Sequence, residues 1–267
     1  MSRIGLGIIT YSRPSFCEKS VKAIVKHCAP VVDHIVLYND GSDTKHKGAY
    51  KRVYQPLAKV GALVLDCPVN YGVSHAKNRC IEELLKSGCD WIILAEDDIK
   101  PLSSKAVTGY IEVAEKRGFQ TLSFAHHGPA NSGGAVEVDD DVSFFMHSVG
   151  AWELYSRECL ETVGLFDENF HQAWEHVEHT IRIMNAGFAP NAEVHRFPDA
   201  TDSSKWLQEL PNSIEKSSIR PRPDWQDNIK NGLVYWRDEK PETFNQLFGP
   251  EMPLYAYAGS ILGEQPP

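Results

Sequence analysis

The stretch WIILAEDDIKP (91–101) runs from an apolar segment directly into three consecutive carboxylates. The five mostly apolar residues 91–95 predict a buried strand. Glu96, Asp97 and Asp98 repel one another unless a cation or water lies close to them. The sequence therefore raises the question of which cation stabilises this acidic strand end.

Strands and helices alternate along the first hundred residues. Continuous apolar strands separated by amphipathic helices are typical of a parallel sheet that is covered on both faces. Such sheets bind ligands at the carboxyl ends of their strands, and residues 96–98 fall at such an end. The predicted elements are strands at 3–10, 34–38, 62–66 and 91–95 and helices at 16–27 and 73–86.

The second half of the chain is less regular. The last seventy residues are rich in Pro, Trp and charge, and they predict short helices and an extended tail. Residues 126–134 predict a flexible loop and residues 137–141 an acidic turn. The other predicted elements are helices at 103–117, 158–163 and 173–185 and strands at 121–125 and 142–149.

The composition indicates a globular protein. A length of 267 residues suits one large domain or two small ones, and a hydrophobic content of 42% is ordinary for such a chain. The net charge of −9 argues against a general polyanion-binding protein. Six scattered cysteines without a CxxC pair indicate reduced thiols. No stretch approaches the roughly 20 apolar residues of a membrane span, so we expect a soluble cytoplasmic protein.

Two strand ends carry candidate ligand contacts. YNDGSD (38–43) places Asp40 on a turn after a strand, where it can accept hydrogen bonds from a base or ribose; the alternative is an ordinary Asp-Gly turn. In the acidic triplet, Glu96 and Asp98 point the same way because side chains alternate along extended chain. Their hard oxygens suit Mg²⁺ or Mn²⁺, and the alternative is a solvated acidic turn.

Two histidines are further candidates. His176 and its neighbour Glu175 stand at the start of the predicted helix 173–185, where they could reach a cleft, and histidine is the usual general base near neutral pH. The alternative is an amphipathic surface helix. His195 in EVHRF (193–197) is a candidate ligand, with a core histidine as the alternative.

Together these segments resemble the GT-A glycosyltransferases, in particular the inverting family 2 with its polysaccharide-type and phage-type members. The resemblance covers roughly residues 3–197. The segments that carry it are GIITYSRP (7–14), YNDGSD (38–43), NYGVSHAKNRCIEE (70–83), the triplet 96–98, HSVGAWELYSRECLETVGLFDENF (147–170) and WEHVEHTIRIMNAGF (174–188).

The resemblance implies a GT-A fold, Rossmann-like, with a mostly parallel central sheet flanked by helices. It implies a glycosyltransferase domain over 1–200, with a nucleotide-sugar half at about 1–100 and an acceptor half at about 101–200. Residues 201–267 are expected to form a C-terminal extension packed on the same domain.

The resemblance also implies roles for single residues. Metal ligation of Mn²⁺ or Mg²⁺ falls to Asp98 and His195. Glu96 stands in the D-x-D motif in place of the first Asp, and Lys77 stands in place of the usual Arg. The implied donor-binding residues are Thr10, Arg13, Asp40, Lys77, Glu96 and Asp97.

One departure from the family pattern concerns catalysis. The family's base is usually the Asp of a Glu-Asp pair, and His176 occupies that position. Either His176 is the base, or Glu175 serves, or activity is lost. We favour His176, because a neutral imidazole can deprotonate a sugar hydroxyl.

The expected activity is metal-dependent, inverting sugar transfer from a nucleoside-diphosphate sugar, with UDP as the default carrier, to a hydroxyl of a glycan or lipid-linked sugar. A modified base in nucleic acid is an alternative acceptor, which the acidic net charge disfavours. A non-catalytic sugar-nucleotide-binding protein is a second alternative. A nucleotidyltransferase is a third, and GIITYSRP matches its Gly-rich loop poorly.

Overall fold

A computed structural model describes residues 2–126, 129–189 and 196–249. The strands are β1 (Ile4–Thr10), β2 (His34–Asp40), β3 (Leu63–Cys67), β4 (Trp91–Glu96), β5 (Ile99–Pro101), β6 (Thr121–Ser123), β7 (Glu137–Asp139), β8 (Val142–Phe145), β9 (Trp152–Ser156), β10 (Phe197–Ala200) and β11 (Leu207–Glu209). The helices are α1 (Pro14–His27), α2 (Lys47–Lys59), α3 (Val73–Lys86), α4 (Lys105–Arg117), α5 (Arg157–Val163), α6 (Glu175–Asn185), α7 (Ser203–Trp206), α8 (Trp225–Glu239) and α9 (Pro241–Phe248).

A six-stranded sheet forms the centre of the molecule, with the strand order β3-β2-β1-β4-β9-β6. The strands β3, β2, β1 and β4 run parallel, and β9 pairs antiparallel with both β4 and β6. Two smaller sheets, β10-β8-β7 and β11-β5, lie beside it. The predicted α/β class with a mostly parallel sheet is confirmed.

The two faces of β1 are packed differently. Leu6 and Ile8 have no exposed surface and join the apolar cluster that includes residues of α1 and α2. Gly5 and Gly7 face α3, where a Cβ on Gly7 would lie 2.7 Å from Cβ of Cys80. The two glycines therefore let α3 lie directly against β1.

Strand β9 was not predicted, although it lies inside the sheet. Its five residues are buried, and the second of them is Glu153. A carboxylate inside an apolar run argues against a buried strand unless a buried cation neutralises it. Lys77 of α3 is that cation, with Nζ 2.9 Å from Oε2 of Glu153.

The prediction of an acidic turn at 137–141 was wrong over its first part. Residues 137–139 form β7, which pairs antiparallel with β8. All three are exposed, so this strand accommodates charge on its outer side. Lys116 lies 2.8 Å from a carboxylate oxygen of Asp140 and also 2.8 Å from one of Asp141, which offsets the repulsion between them.

The described part of the C-terminal segment packs against α6. Trp236 of α8 has no exposed surface and contacts Phe170 and Trp174 in edge-on and tilted arrangements. Helix α8 has 15 residues and is longer than the short helices that the sequence predicted. None of the helices within 2–126, 129–189 and 196–249 is long and apolar enough to span a membrane.

Candidate active site

The carboxyl ends of β1, β2 and β4 meet at one edge of the sheet because the three strands are parallel. This edge brings Thr10, Asp40 and Glu96 together with the residues that follow each of them. Thr10 Oγ1 donates a hydrogen bond of 2.6 Å to Asp97 Oδ2. The loop between β1 and α1 and the turn after β4 are thus joined directly.

Arg13 is the cation that lies beside the acidic triplet. Its guanidinium contacts Asp97 Oδ1, and Nη2 lies 3.0 Å from Asp98 Oδ2. Burial lowers the pKa of Arg13, but Asp97, Asp98 and Glu96 outweigh it and raise the pKa above its ordinary value. The guanidinium therefore offsets part of the repulsion among the three carboxylates.

Arg13 does not satisfy every carboxylate oxygen of the acidic triplet. Among the described residues, the buried Asp98 Oδ1 has no hydrogen-bond partner. Burial, followed by the neighbouring Asp98, raises the pKa of Glu96. Both effects are expected where a further cation completes a site.

Asp98 and Glu96 fit a divalent ion that binds together with a diphosphate. Mg²⁺ takes one or two protein carboxylates and fills its other positions with phosphate and water. Within the described residues, no group of three or more His, Cys, Asp or Glu side chains is placed to hold a metal ion. The other predicted metal ligand, His195, lies outside the described residues.

Asp40 is buried and accepts hydrogen bonds from the loop before α3. The donors are Tyr71 N and Gly72 N, both at 2.9 Å, and Asn70 Nδ2 at 2.7 Å. Burial raises the pKa of Asp40, and the two backbone donors oppose that rise. Asp40 thus fixes the loop at the smaller cavity, and its contact with a base or ribose stays a prediction.

Four buried side chains connect α3, β9 and α6, and we call them the Lys77 network. Lys77 Nζ lies 2.9 Å from Glu153 Oε2 and 3.0 Å from Glu175 Oε1. Tyr155 donates a hydrogen bond of 2.7 Å to the other oxygen of Glu153. Lys77 has no exposed surface. This geometry favours a positioning role for Lys77 over the direct donor contact that the sequence predicted.

The start of α6 presents Glu175 and His176 to the site. Trp174, just before them, has φ of 77°, an uncommon conformation for a residue with a side chain. It is held there by packing and by a hydrogen bond of 3.0 Å from Nε1 to the carbonyl oxygen of Ile229. Strained backbone of this kind clusters at functional sites.

His176 is the partly exposed member of this region, with 22% of its side chain accessible. Its Nδ1 lies 3.2 Å from Glu175 Oε1. Burial lowers the pKa of His176, but Glu175 outweighs it and the pKa is raised. For Glu175, burial is outweighed by Lys77 and His176, so its pKa is lowered and it stays ionised.

Two cavities adjoin this cluster. The larger, of about 720 Å³, lies between the acidic triplet and α6, and the smaller, of about 240 Å³, lies over the ends of β1 and β2. Glu96, Arg13 and His176 line both cavities. Asp98 lines the larger cavity, whereas Thr10, Asp40, Asp97 and Glu175 line the smaller one. A ligand that fills both would therefore lie against Arg13, Glu96 and His176.

The C-terminal segment 213–222 forms a wall of both cavities, which the sequence did not predict residue by residue. Ser218 Oγ donates a hydrogen bond of 2.7 Å to the carbonyl oxygen of Tyr11. Arg222 lies over the ring of Tyr11 at 5.7 Å and donates a 3.0 Å hydrogen bond to Asn70 Oδ1. The only local signal was the aromatic and basic composition of RPRPDW (220–225).

Comparison with known proteins identifies the fold. No family model matches the sequence, and no curated protein matches it either. The mannosyltransferase PcManGT from Pyrobaculum calidifontis, solved with GDP-Man and Mn²⁺, has a TM-score of 0.61 at 12% sequence identity. That match covers 98% of this chain and 79% of the other.

Two further solved structures are similar. S. aureus TarS 1-349 gives a TM-score of 0.60 at 12% identity, over 97% of this chain and 73% of that one. GalNAc-T7, solved with UDP, GalNAc and Mn²⁺, gives 0.59 at 12% identity, over 95% of this chain and 52% of the other. At this level of identity the likeness concerns the fold alone, and it shows that the chain has the GT-A fold.

Proposed function

We propose that this protein is a glycosyltransferase that moves a sugar from a nucleoside-diphosphate sugar to a hydroxyl group. The observation that carries the proposal is the meeting of two groups in one connected space. Asp98, one oxygen of which has no hydrogen-bond partner among the described residues, and His176 both line the larger cavity. The structural neighbours with GDP-Man, UDP and Mn²⁺ support a nucleotide-sugar donor.

The donor nucleotide is assigned to the smaller cavity, over the ends of β1 and β2. Thr10, Asp40 and Asp97 line that cavity, and Arg13 lies between it and the larger one. Arg13 can therefore contact the diphosphate. UDP remains our default carrier.

A divalent cation, Mn²⁺ or Mg²⁺, would be held by Asp98 and Glu96. Bound there, it would supply charge stabilisation for the departing nucleoside diphosphate. The Asp98 oxygen that has no partner among the described residues fits this role because a buried carboxylate oxygen is costly without one.

His176 is assigned as the general base. Glu175 is ionised and accepts from Nδ1, which leaves Nε2 available to take a proton from an acceptor hydroxyl. The acceptor is assigned to the larger cavity, where it would attack the anomeric carbon opposite the departing diphosphate. A single displacement of this kind inverts the configuration. A glycan or lipid-linked sugar in the cytoplasm is the acceptor class that we favour over nucleic acid.

The test is nucleotide release from a panel of UDP-, GDP-, CMP- and dTDP-sugars, measured with Mn²⁺ or with EDTA. We expect metal-dependent release from one donor, reduced about 100-fold or more by Asp98→Asn, the size of loss seen when one transition-state charge contact is removed. The matched control is Asp227→Asn, on the exposed first turn of α8.

A thermal-shift measurement covers the case in which release needs the true acceptor. The same donors should raise the melting temperature of the protein only when Mn²⁺ is present. Neither release nor a metal-dependent shift from any donor would overturn the proposal. A shift without release from donor and acceptor mixtures would instead point to a non-catalytic sugar-nucleotide-binding protein.

A further inference from the structure

The Lys77 network lies behind His176 and is shielded from solvent. The side chains of Lys77, Glu153 and Glu175 are 0%, 1% and 3% exposed. None of Lys77, Glu153 and Tyr155 lines either cavity. Lys77, Glu153 and Tyr155 therefore reach the site by contact through Glu175, and the charges of Lys77 and Glu153 also act on His176 from a distance.

Such a network is costly to build for stability alone. Taking charges out of water costs several kcal/mol per ion, and apolar replacements of a buried ion pair are often as stable or more stable. Here one ammonium serves two carboxylates, so the group as a whole keeps one negative charge. That charge faces His176, whose Nδ1 lies 3.2 Å from Glu175 Oε1.

The network also determines which nitrogen of the His176 imidazole carries the proton. An ionised carboxylate only accepts hydrogen bonds, so the Nδ1 that faces Glu175 must carry the proton. In the neutral ring, the other nitrogen, Nε2, is then left as an acceptor. The space is tight as well, because a Cβ on Gly150 would lie 2.8 Å from Lys77 Nζ and 3.0 Å from Cγ of His176.

We propose that Tyr155, Glu153 and Lys77 are positioning residues that act through Glu175 to hold His176 with Nδ1 protonated and Nε2 free as a proton acceptor. This inference rests on the proposed function. Tyr155 orients Glu153, Glu153 and Glu175 share Lys77, and Lys77 keeps Glu175 ionised and directed at His176.

The kinetic test is a double-mutant cycle with Glu153→Gln, a change of similar size that keeps a group able to accept from Lys77. In the otherwise unmutated protein we expect kcat for nucleotide release to fall about 10-fold, the loss from a misoriented general base, with the donor KM unchanged. In a His176→Ala background we expect no further fall. The control Glu158→Gln, exposed on α5, should change neither value.

An equal fall in both backgrounds, or no fall in either, would overturn the inference, because a network that only holds the fold together does not act through His176. Tyr155→Phe provides a second, milder variant that removes only one hydrogen bond. It should lower kcat in the same direction by a smaller factor.

The substrate-free test is ¹⁵N NMR of the imidazole, with His176 assigned from its loss in His176→Ala. We expect the Nδ1-protonated tautomer in the unmutated protein and a mixture of tautomers in Glu153→Gln. An Nε2-protonated ring in the unmutated protein would overturn the inference. Absence of any donor cleavage alongside the expected tautomer would count against the proposed function and leave the positioning role standing.

Discussion

Arg13 and Lys77 each lie between two carboxylates, and their surroundings differ. Arg13, 14% exposed, lines both cavities and contacts Asp97 and Asp98. Lys77 has no exposed surface and lines neither cavity. We therefore expect Arg13 to exchange its carboxylate partners with an incoming ligand, whereas Lys77 keeps both of its partners.

Solvent access changes what a cation between two carboxylates can do. Beside the cavities, water or a ligand can take over a contact that Arg13 gives up. In the interior, any lost partner leaves an uncompensated charge. The same pairing of one cation with two carboxylates therefore lies beside a cavity in one place and in the interior in the other.

The largest expected effect is on stability. We expect Lys77→Met to lower the free energy of unfolding by about 3–5 kcal/mol, because it strands Glu153 and Glu175 in the interior. Arg13→Met should cost about 2 kcal/mol, since Asp97 keeps the hydrogen bond from Thr10. Urea denaturation followed by circular dichroism measures both.

Lys105→Met supplies the surface control for this comparison. Its ion pair with Glu112 is exposed on both sides and should contribute less than about 1 kcal/mol. Equal losses for Lys77→Met and Arg13→Met would contradict the division into a fixed and an exchangeable cation.

A second prediction concerns the space behind His176. Gly150→Ala should destabilise the protein by about 1–3 kcal/mol, the usual cost of overpacking, because the added Cβ would meet Lys77 Nζ and the His176 ring. Thermal unfolding measures the loss. Gly133→Ala is the matched control, since a Cβ there meets nothing within 4 Å. Equal melting temperatures for the two variants would mean that Lys77 and His176 move away from the added methyl group at little cost.

A third prediction follows from the raised pKa of His176. A general base must be neutral, so kcat/KM should fall about tenfold for each pH unit below that pKa. The charged groups that act on the ring are Glu175 on α6, Lys77 on α3 and Glu153 on β9, and Arg13, Glu96 and Asp98 line the same cavity.

The variant that tests the cause of this shift is Glu175→Gln. It removes the largest influence that raises the pKa of His176, so the acid limb of the kcat/KM profile should move to lower pH. An unchanged pH profile of kcat/KM would show that its acid limb reports the ionisation of a group other than His176. His27→Gln, remote on α1, is the control and should leave the profile unchanged.

Much of the edge formed by the carboxyl ends of β1, β2 and β4 could be predicted from local patterns. The apolar runs that end at Thr10, Asp40 and Glu96 each predict a strand, and parallel strands bring their carboxyl ends to one edge. The position of Glu175 and His176 at a helix start was also readable, because helical spacing of apolar residues marks α6.

The Lys77 network could not be predicted in the same way. Glu153 lies 76 residues from Lys77 in sequence, and no local periodicity couples them. A single carboxylate inside β9 obscured the strand itself, because its neutralising partner belongs to another element. The contacts of the wall formed by 213–222 could not be predicted for the same reason, since they reach back to Tyr11 and Asn70.

The smallest expected effect tests whether Arg13 is the exchangeable cation. Arg13→Gln frees Asp98 Oδ2, which lies 3.0 Å from the guanidinium, so the ligand-free protein should bind Mn²⁺ more tightly. The gain should be about fivefold, or about 1 kcal/mol, the value of a partly exposed ion pair. Titration calorimetry or the EPR signal of free Mn²⁺ measures it. Arg52→Gln, whose arginine is 64% exposed on α2, is the control. A weaker Mn²⁺ affinity in Arg13→Gln would mean that the guanidinium organises Asp98 for the metal instead of competing with it, and Arg13 would then resemble Lys77 more than it differs from it.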